Sequence, residues 1–384
     1  MAIDRRDFVA RAGALAAMGM VSAPTLAAAP AGGDPIADWP IADWIVVNAL
    51  GGLGDPNSPP DGTRSAISPR VLADAHASGV TTINVTLGYV AGPEDPFEDT
   101  VRDIATTDRM IREQRRDLIK ILSAADIRRA KAEKKIGLLY GFQNCAMLGK
   151  DATRVDVFAD LGVRVFQLTY NPANLLGDGS MAPENRGITP FGREVIARLN
   201  DRRVMVDLSH SGERTCLDAA RASRAPISIN HTGCRALTDL PRNKTDAELR
   251  LVAERGGFVG IYFMPFLNKS GHATAEDVVA HIDHAVNVCG EDHVGIGTDG
   301  TVTQIDDLKI YEAKLAKEIA DRRAAGISAT GERPDTYPFV VDLRGPDQFR
   351  KLARLLEAKG YAPRRVEKIL GLNFLRYAEA IWGN

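Results

Sequence analysis

Eight short apolar runs punctuate the chain, separated by longer segments in which apolar residues recur every three or four positions. The runs are WIVVNAL (44–50), VTTINVTLG (80–88), KIGLLYGFQ (135–143), VRVFQLTY (163–170), RVMVDLSH (203–210), APISINH (225–231), GGFVGIYF (256–263) and HVGIGTD (293–299). Strands that are apolar throughout are buried on both faces, as in a parallel sheet covered by helices. SPRVLADAHASG, GREVIARLNDR, TCLDAARASR and DAELRLVAERG carry the helical period between them. Eight strand–helix units predict a (β/α)8 barrel. An open doubly wound sheet is the alternative, but no GxGxxG follows an early strand. The tail DQFRKLARLLEAKGYAPRRVEKILGLNFLRYAEAIW reads as C-terminal helices packing across the barrel, and residues 301–340 as an inserted helix and loop.

Composition adds bounds rather than chemistry. The 384 residues are 45% hydrophobic and 26% charged, enough for one large domain or two small ones with a full core. A net charge of -2 gives no reason to expect nucleic acid or an anionic membrane surface as a partner. The first thirty residues differ: Arg5 and Arg6, then Phe8, a mildly apolar run and small residues up to Ala29. These features predict a twin-arginine export signal over residues 1–29, read by the Tat machinery, and a single barrel domain over 30–384 in the periplasm. Cys145, Cys216, Cys234 and Cys289 are scattered beside apolar runs, which favours buried free thiols over disulfides.

In such a barrel the chemistry gathers at the C-terminal ends of the strands. Those ends carry Asn48, Leu50, Gln143, Tyr170, His210, His231 and Asp299. His210 in DLSH and His231 in INHTGCRAL close neighbouring strands, where neutral imidazoles can face one centre and bind a metal. Asp299 in GIGTDG faces the same mouth and can handle a proton. The remaining histidines read as structural: His281 and His284 lie on a helix away from the mouth, His293 opens its strand at the wrong end, and His76 and His272 have no partner signal.

With these residues in place the chain resembles the membrane (renal) dipeptidase family, peptidase family M19 of the amidohydrolase superfamily. The resemblance rests on VDLSHSGERTCLDAARASRAPISINHTGCRALTDLPRNKTDAELRLVAERGGFVGI, HIDHAVNVCGEDHVGIGTDG and GYAPRRVEKILGLNFLRYAEAIW. It implies a distorted (β/α)8 barrel, amidohydrolase-like, with two zinc ions sharing a bridging glutamate and a hydroxide that attacks a dipeptide carbonyl. His210 and His231 match ligands of the second metal, Arg235 the arginine that grips the substrate carboxylate, and Asp299 the aspartate that meets the substrate amine. Relatives pair, so a homodimer is expected.

The departures change this picture. The family's first strand ends in His-x-Asp, but IVVNALGGLGD has Leu50 and Gly52 at those places. The bridging glutamate of Gly-x-Glu-Gly-Gly is Gln143 in GFQNC, and a fourth-strand histidine that contacts the reacting carbonyl falls at Tyr170. The anionic metal ligands are gone. The expectation is therefore at most one zinc per chain, on His210 and His231 with Gln143 as a weak third ligand. Tyr170 and Asp299 are then the catalytic candidates, and Arg235, Asp299, Tyr170 and Asn48 the substrate-binding ones. Three functions stay open: a dipeptidase-family hydrolase of a dipeptide or small amide, a non-peptidase enzyme (lyase, isomerase or tailoring step) in the same pocket, and a non-catalytic small-molecule binder.

Overall fold

A computed structural model describes residues 40–58 and 67–383; the expected export signal lies outside the described residues. Ten strands form one sheet: β1 (Val47–Gly52), β2 (Thr82–Thr86), β3 (Leu118–Ile121), β4 (Ile136–Phe142), β5 (Val165–Gln167), β6 (Met205–Asp207), β7 (Ser228–Thr232), β8 (Phe258–Ile261), β9 (Val294–Ile296) and β10 (Gly300–Thr301). All the pairings are parallel and run β10-β1-β2-β4-β5-β6-β7-β8-β9, with β3 flanking β4. Since β10 follows β9 directly in the chain and pairs with β1, the sheet curls back on itself. This is the distorted (β/α)8 barrel the apolar runs predict, with two additions, β3 and the two-residue β10. The four-residue β3 has lysine at its centre and follows a long helical pattern, so its sequence lacks the continuous apolar signal of a buried strand.

Gly51 in the first strand has a steric cause. A Cβ on Gly51 would stand 2.2 Å from Asn48 Nδ2 and 2.9 Å from the carbonyl oxygen of Gly300. Only glycine lets β10 close against β1 there.

Helices cover the sheet, and their starts are encoded locally. Ser123, Thr245 and Thr274 each complete a capping box with a carboxylate three residues later. The C-terminal helix Asn373–Trp382 seals the end of the barrel opposite the site. Its Phe374, Tyr377 and Ile381 share a core with Val47, Leu139, Val165 and Met205, and Asn373 Nδ2 donates to the carbonyl of Val294 at 2.8 Å. At the other end lies the insert. Its helix Leu308–Ala324 and following loop have a small core of their own, Ile305, Tyr311, Leu315 and Ile319, with Tyr337 and Phe339 against it. All four cysteines are free and buried.

Candidate active site

Beneath the insert the strand ends enclose a cavity of about 60 Å³. Gln143, Tyr170, His210 and Asp299 line it from the barrel, as their positions at strand ends predict, and Arg322 and Glu332 line it from the insert. His231 packs against His210 with ring centroids 5.0 Å apart. The Tyr170 ring stacks on His210 at 4.3 Å.

Hydrogen bonds fix the protonation of His210. Asn171 Nδ2 donates to the carbonyl of Ile327 in the insert at 2.9 Å, so its Oδ1 is the acceptor, 2.6 Å from His210 Nδ1. Nδ1 therefore carries the proton, and Nε2 keeps its lone pair. That Nε2 and both ring nitrogens of His231 are buried with no hydrogen-bond partner. Burial, reinforced by the Arg242 guanidinium, holds both imidazoles well below their ordinary pKa, so both are neutral.

Asp299 has a left-handed backbone, φ 57°, which aspartate tolerates better than most residues. Its N–H donates to the carbonyl of Leu50 at 2.9 Å, and the turn presents its side chain to the cavity. Burial raises its carboxyl to about 7, with Arg242 and Arg322 pulling the other way. Tyr170 is pushed up to about 12, chiefly by burial and then by the charge of Asp299. The mouth thus holds a carboxyl poised near neutrality beside a phenol that stays protonated.

Below the cavity Asp207 ties the histidine loops together. Its carboxylate accepts from Ser209 N–H at 3.0 Å, Ser209 Oγ at 2.5 Å and Asn230 N–H at 3.0 Å. Ser209 Oγ in turn accepts from the N–H of His231 at 3.0 Å. Next to it the buried Lys244 and Glu248 pair at 3.3 Å, and Lys244 Nζ also donates to the carbonyl of Ser211.

Two of the expected substrate-binding side chains are not among those that line the cavity. Arg235 does not line the cavity: its guanidinium donates to Glu213 Oε2 at 3.1 Å and to the carbonyl of Asn243 at 3.1 Å. The arginine that lines the cavity from the barrel side is Arg242, only 2% exposed, whose Nη1 donates to the carbonyl of Ser209 at 2.5 Å. Among the described residues no carboxylate forms an ion pair with it, although its charge pulls down the carboxyls of Asp299 and Asp207, which burial raises. Asn48 is also committed elsewhere. Its Nδ2 donates to Thr298 Oγ1 at 2.8 Å and its Oδ1 accepts the Thr298 N–H at 2.8 Å, joining β1 to the end of β9. The other histidines are structural, as expected: His281 accepts from Cys234 N–H at 2.9 Å and reaches the Leu267 carbonyl, and His284 meets Asp246 at 2.8 Å.

The sequence profile of the membrane dipeptidase family (Peptidase family M19) matches residues 68–329, the span that carries His210, His231, Arg242 and Asp299. The chain belongs to the membrane dipeptidase family. It is similar to the dipeptidase tcpJ of Claviceps purpurea (strain 20.1), 30% identical over 306 residues that cover 75% of this chain and 64% of that protein. Among solved structures it is similar to an amidohydrolase from Pseudomonas aeruginosa, 32% identical, with a TM-score of 0.76 over 90% of this chain and 98% of that one. The fold is also that of a metallopeptidase from Rhodobacter sphaeroides solved with a phosphinate mimic of the dipeptide L-Ala-D-Ala, with 22% identity and a TM-score of 0.67 over 88% and 99% of the two chains.

The donor set of this dipeptidase-family site does not fit a two-metal centre. Among the described residues no three His, Cys, Asp or Glu side chains converge. Gln143 spends its Nε2 on Thr86 Oγ1 at 2.7 Å, leaving a neutral amide oxygen where a bridge needs a carboxylate. The orphaned nitrogens of His210 and His231 suit one ion at most, since catalytic zinc ordinarily takes three protein ligands. The Nδ1–H bond of His210 to Asn171 is the kind of outer contact that orients a metal-binding imidazole.

Proposed function

We propose that this chain is an exported hydrolase of a small amide or dipeptide that bears a carboxylate, working with at most one metal ion. The observation that carries the reading is Arg242: a buried guanidinium on the cavity wall, bonded to a backbone carbonyl and, among the described residues, in no ion pair with a carboxylate. An unpaired buried cation is costly, and a substrate carboxylate would relieve that cost with charge-assisted bonds.

In this reading Arg242 orients the substrate so that its scissile carbonyl lies between the histidine pair and Asp299. Asp299 takes a proton from the attacking water and returns it to the departing nitrogen as the C–N bond breaks, a task suited to a carboxyl near 7. Tyr170 keeps its proton and stacks on His210, holding that ring in place. The insert keeps bulk water off the reacting bond. One ion, held by His210 and His231 with the Gln143 oxygen, would polarise the carbonyl and acidify the water. The twin-arginine pair at Arg5 and Arg6 supports delivery to the periplasm.

The test is release of amino acids from a dipeptide panel by the zinc-supplemented protein, compared with His210→Ala and Arg242→Met. Release by the wild type that both substitutions abolish supports the reading, and release that survives both contradicts it. A second reading, proton-transfer chemistry of the lyase or isomerase kind, is favoured by the loss of every carboxylate metal ligand while Asp299 is retained in a cavity that also holds Tyr170 in place of the family's histidine. It predicts no release from any dipeptide.

A further inference from the structure

The insert contributes more than a cover. It is anchored to the barrel by the Asn171 bond to Ile327 and by Arg333, which donates to the Ser270 carbonyl. It carries two charged side chains into the cavity. Arg322 Nε donates to Glu332 Oε1 at 2.7 Å, and Arg322 Nη2 donates to the same oxygen. The two side chains are only 13% and 12% exposed. Both donors fall on Oε1, and Oε2 of Glu332 is buried with no partner.

A buried carboxylate oxygen without a donor costs free energy unless something donates to it. The cavity holds two guanidinium groups and two carboxylates. Arg322 is spent on Glu332, whereas Arg242 has no carboxylate partner. What remains is a free cation on the barrel side and a free anionic oxygen on the insert side, a pattern complementary to a zwitterion. We infer that Glu332 is a specificity residue whose Oε2 accepts a hydrogen bond from a cationic amino group of the substrate, so that the preferred ligands carry a free amine as well as a carboxylate. The inference rests on the reading of Arg242 as the carboxylate anchor and adds the other end of the molecule. Arg322 acts as a positioning residue that aims the Glu332 carboxylate.

Isothermal titration of the full chain with L-alanyl-L-alanine, its N-acetyl derivative and its C-terminal amide separates the two ends. The wild type should prefer the free amine over the N-acetyl form by about tenfold. Glu332→Gln, which keeps the shape and a bond to Arg322, should erase that preference without weakening the N-acetyl ligand, and Glu332→Asp should restore part of it. A wild type indifferent to acetylation, or a Glu332→Gln protein that keeps the full preference, overturns the inference. Failure of the carboxylate anchor shows differently, as equal affinity for the acid and its amide while any preference for the free amine persists.

Discussion

Asn171 Oδ1 lies 2.6 Å from His210 Nδ1, and the same amide donates through Nδ2 to the carbonyl of Ile327 in the insert. One side chain thus selects the tautomer of His210 and joins it to the segment above the cavity. Asn171→Ala should leave the buried Nδ1–H unsatisfied and lower stability by about 1–3 kcal/mol. Urea unfolding measures this, and an unchanged midpoint would show that the bond does not hold the ring.

The two arginines of the loop after β7 should separate cleanly. Arg242→Met is expected to weaken binding of L-alanyl-L-alanine by about 30- to 100-fold, the loss of a charge-assisted contact. Arg235→Met should leave that affinity within about twofold, since Arg235 serves Glu213 and the loop backbone. Equal effects would mean that the ligand sits nearer Glu213 than the cavity allows.

Asp299 predicts a pH dependence of stability. Burial raises its carboxyl from 3.8 to about 7 in the folded chain. Between those values the unfolded chain has lost the proton and the folded chain retains it, so stability falls as pH rises from about 4 to about 7 and then levels. The side chain is partly open to the cavity, which keeps the effect to about 1–3 kcal/mol. Asp299→Asn should therefore gain on the wild type at pH 8 and lose that advantage at pH 4. Parallel stability curves for the two proteins would contradict the shift.

The Lys244–Glu248 pair, 1% and 0% exposed, carries a fourth expectation. Lys244→Met leaves the buried Glu248 charge without its counter-ion and should cost about 3–5 kcal/mol, whereas Lys244→Met with Glu248→Leu should recover part of it, less about 1 kcal/mol for the lost Thr245 capping box. Thermal unfolding of the three proteins checks this. A double variant no better than the single one would show that the pair's contacts to the loops matter more than its charge.

The barrel and the centre of the site were legible because their signals are periodic or terminal. Apolar runs mark buried strands, and His210, His231 and Asp299 fall where those runs stop. The remaining residues sit where period carries no information. Arg235 and Arg242 share one irregular loop, and only packing decides that Arg242 turns inward over the Tyr262 ring at 5.9 Å. Asn48 looked available at the end of its run, but β1 continues to Gly52 and the amide is consumed in closing the barrel against Thr298. Glu332 follows a helix in a loop of the insert, and nothing local announces that it reaches the strand ends. Asn171 directly follows Tyr170, and the sequence gives no sign of its carbonyl partner 156 positions away.

In the proposed function the dipeptidase-family pocket works without a two-metal engine. Zinc content per chain, measured by elemental analysis after saturation with zinc and removal of the loosely bound excess, tests it most directly. The account predicts no more than one zinc per chain, with any bound zinc lost in His210→Ala. Two tightly held zinc ions per chain would contradict it.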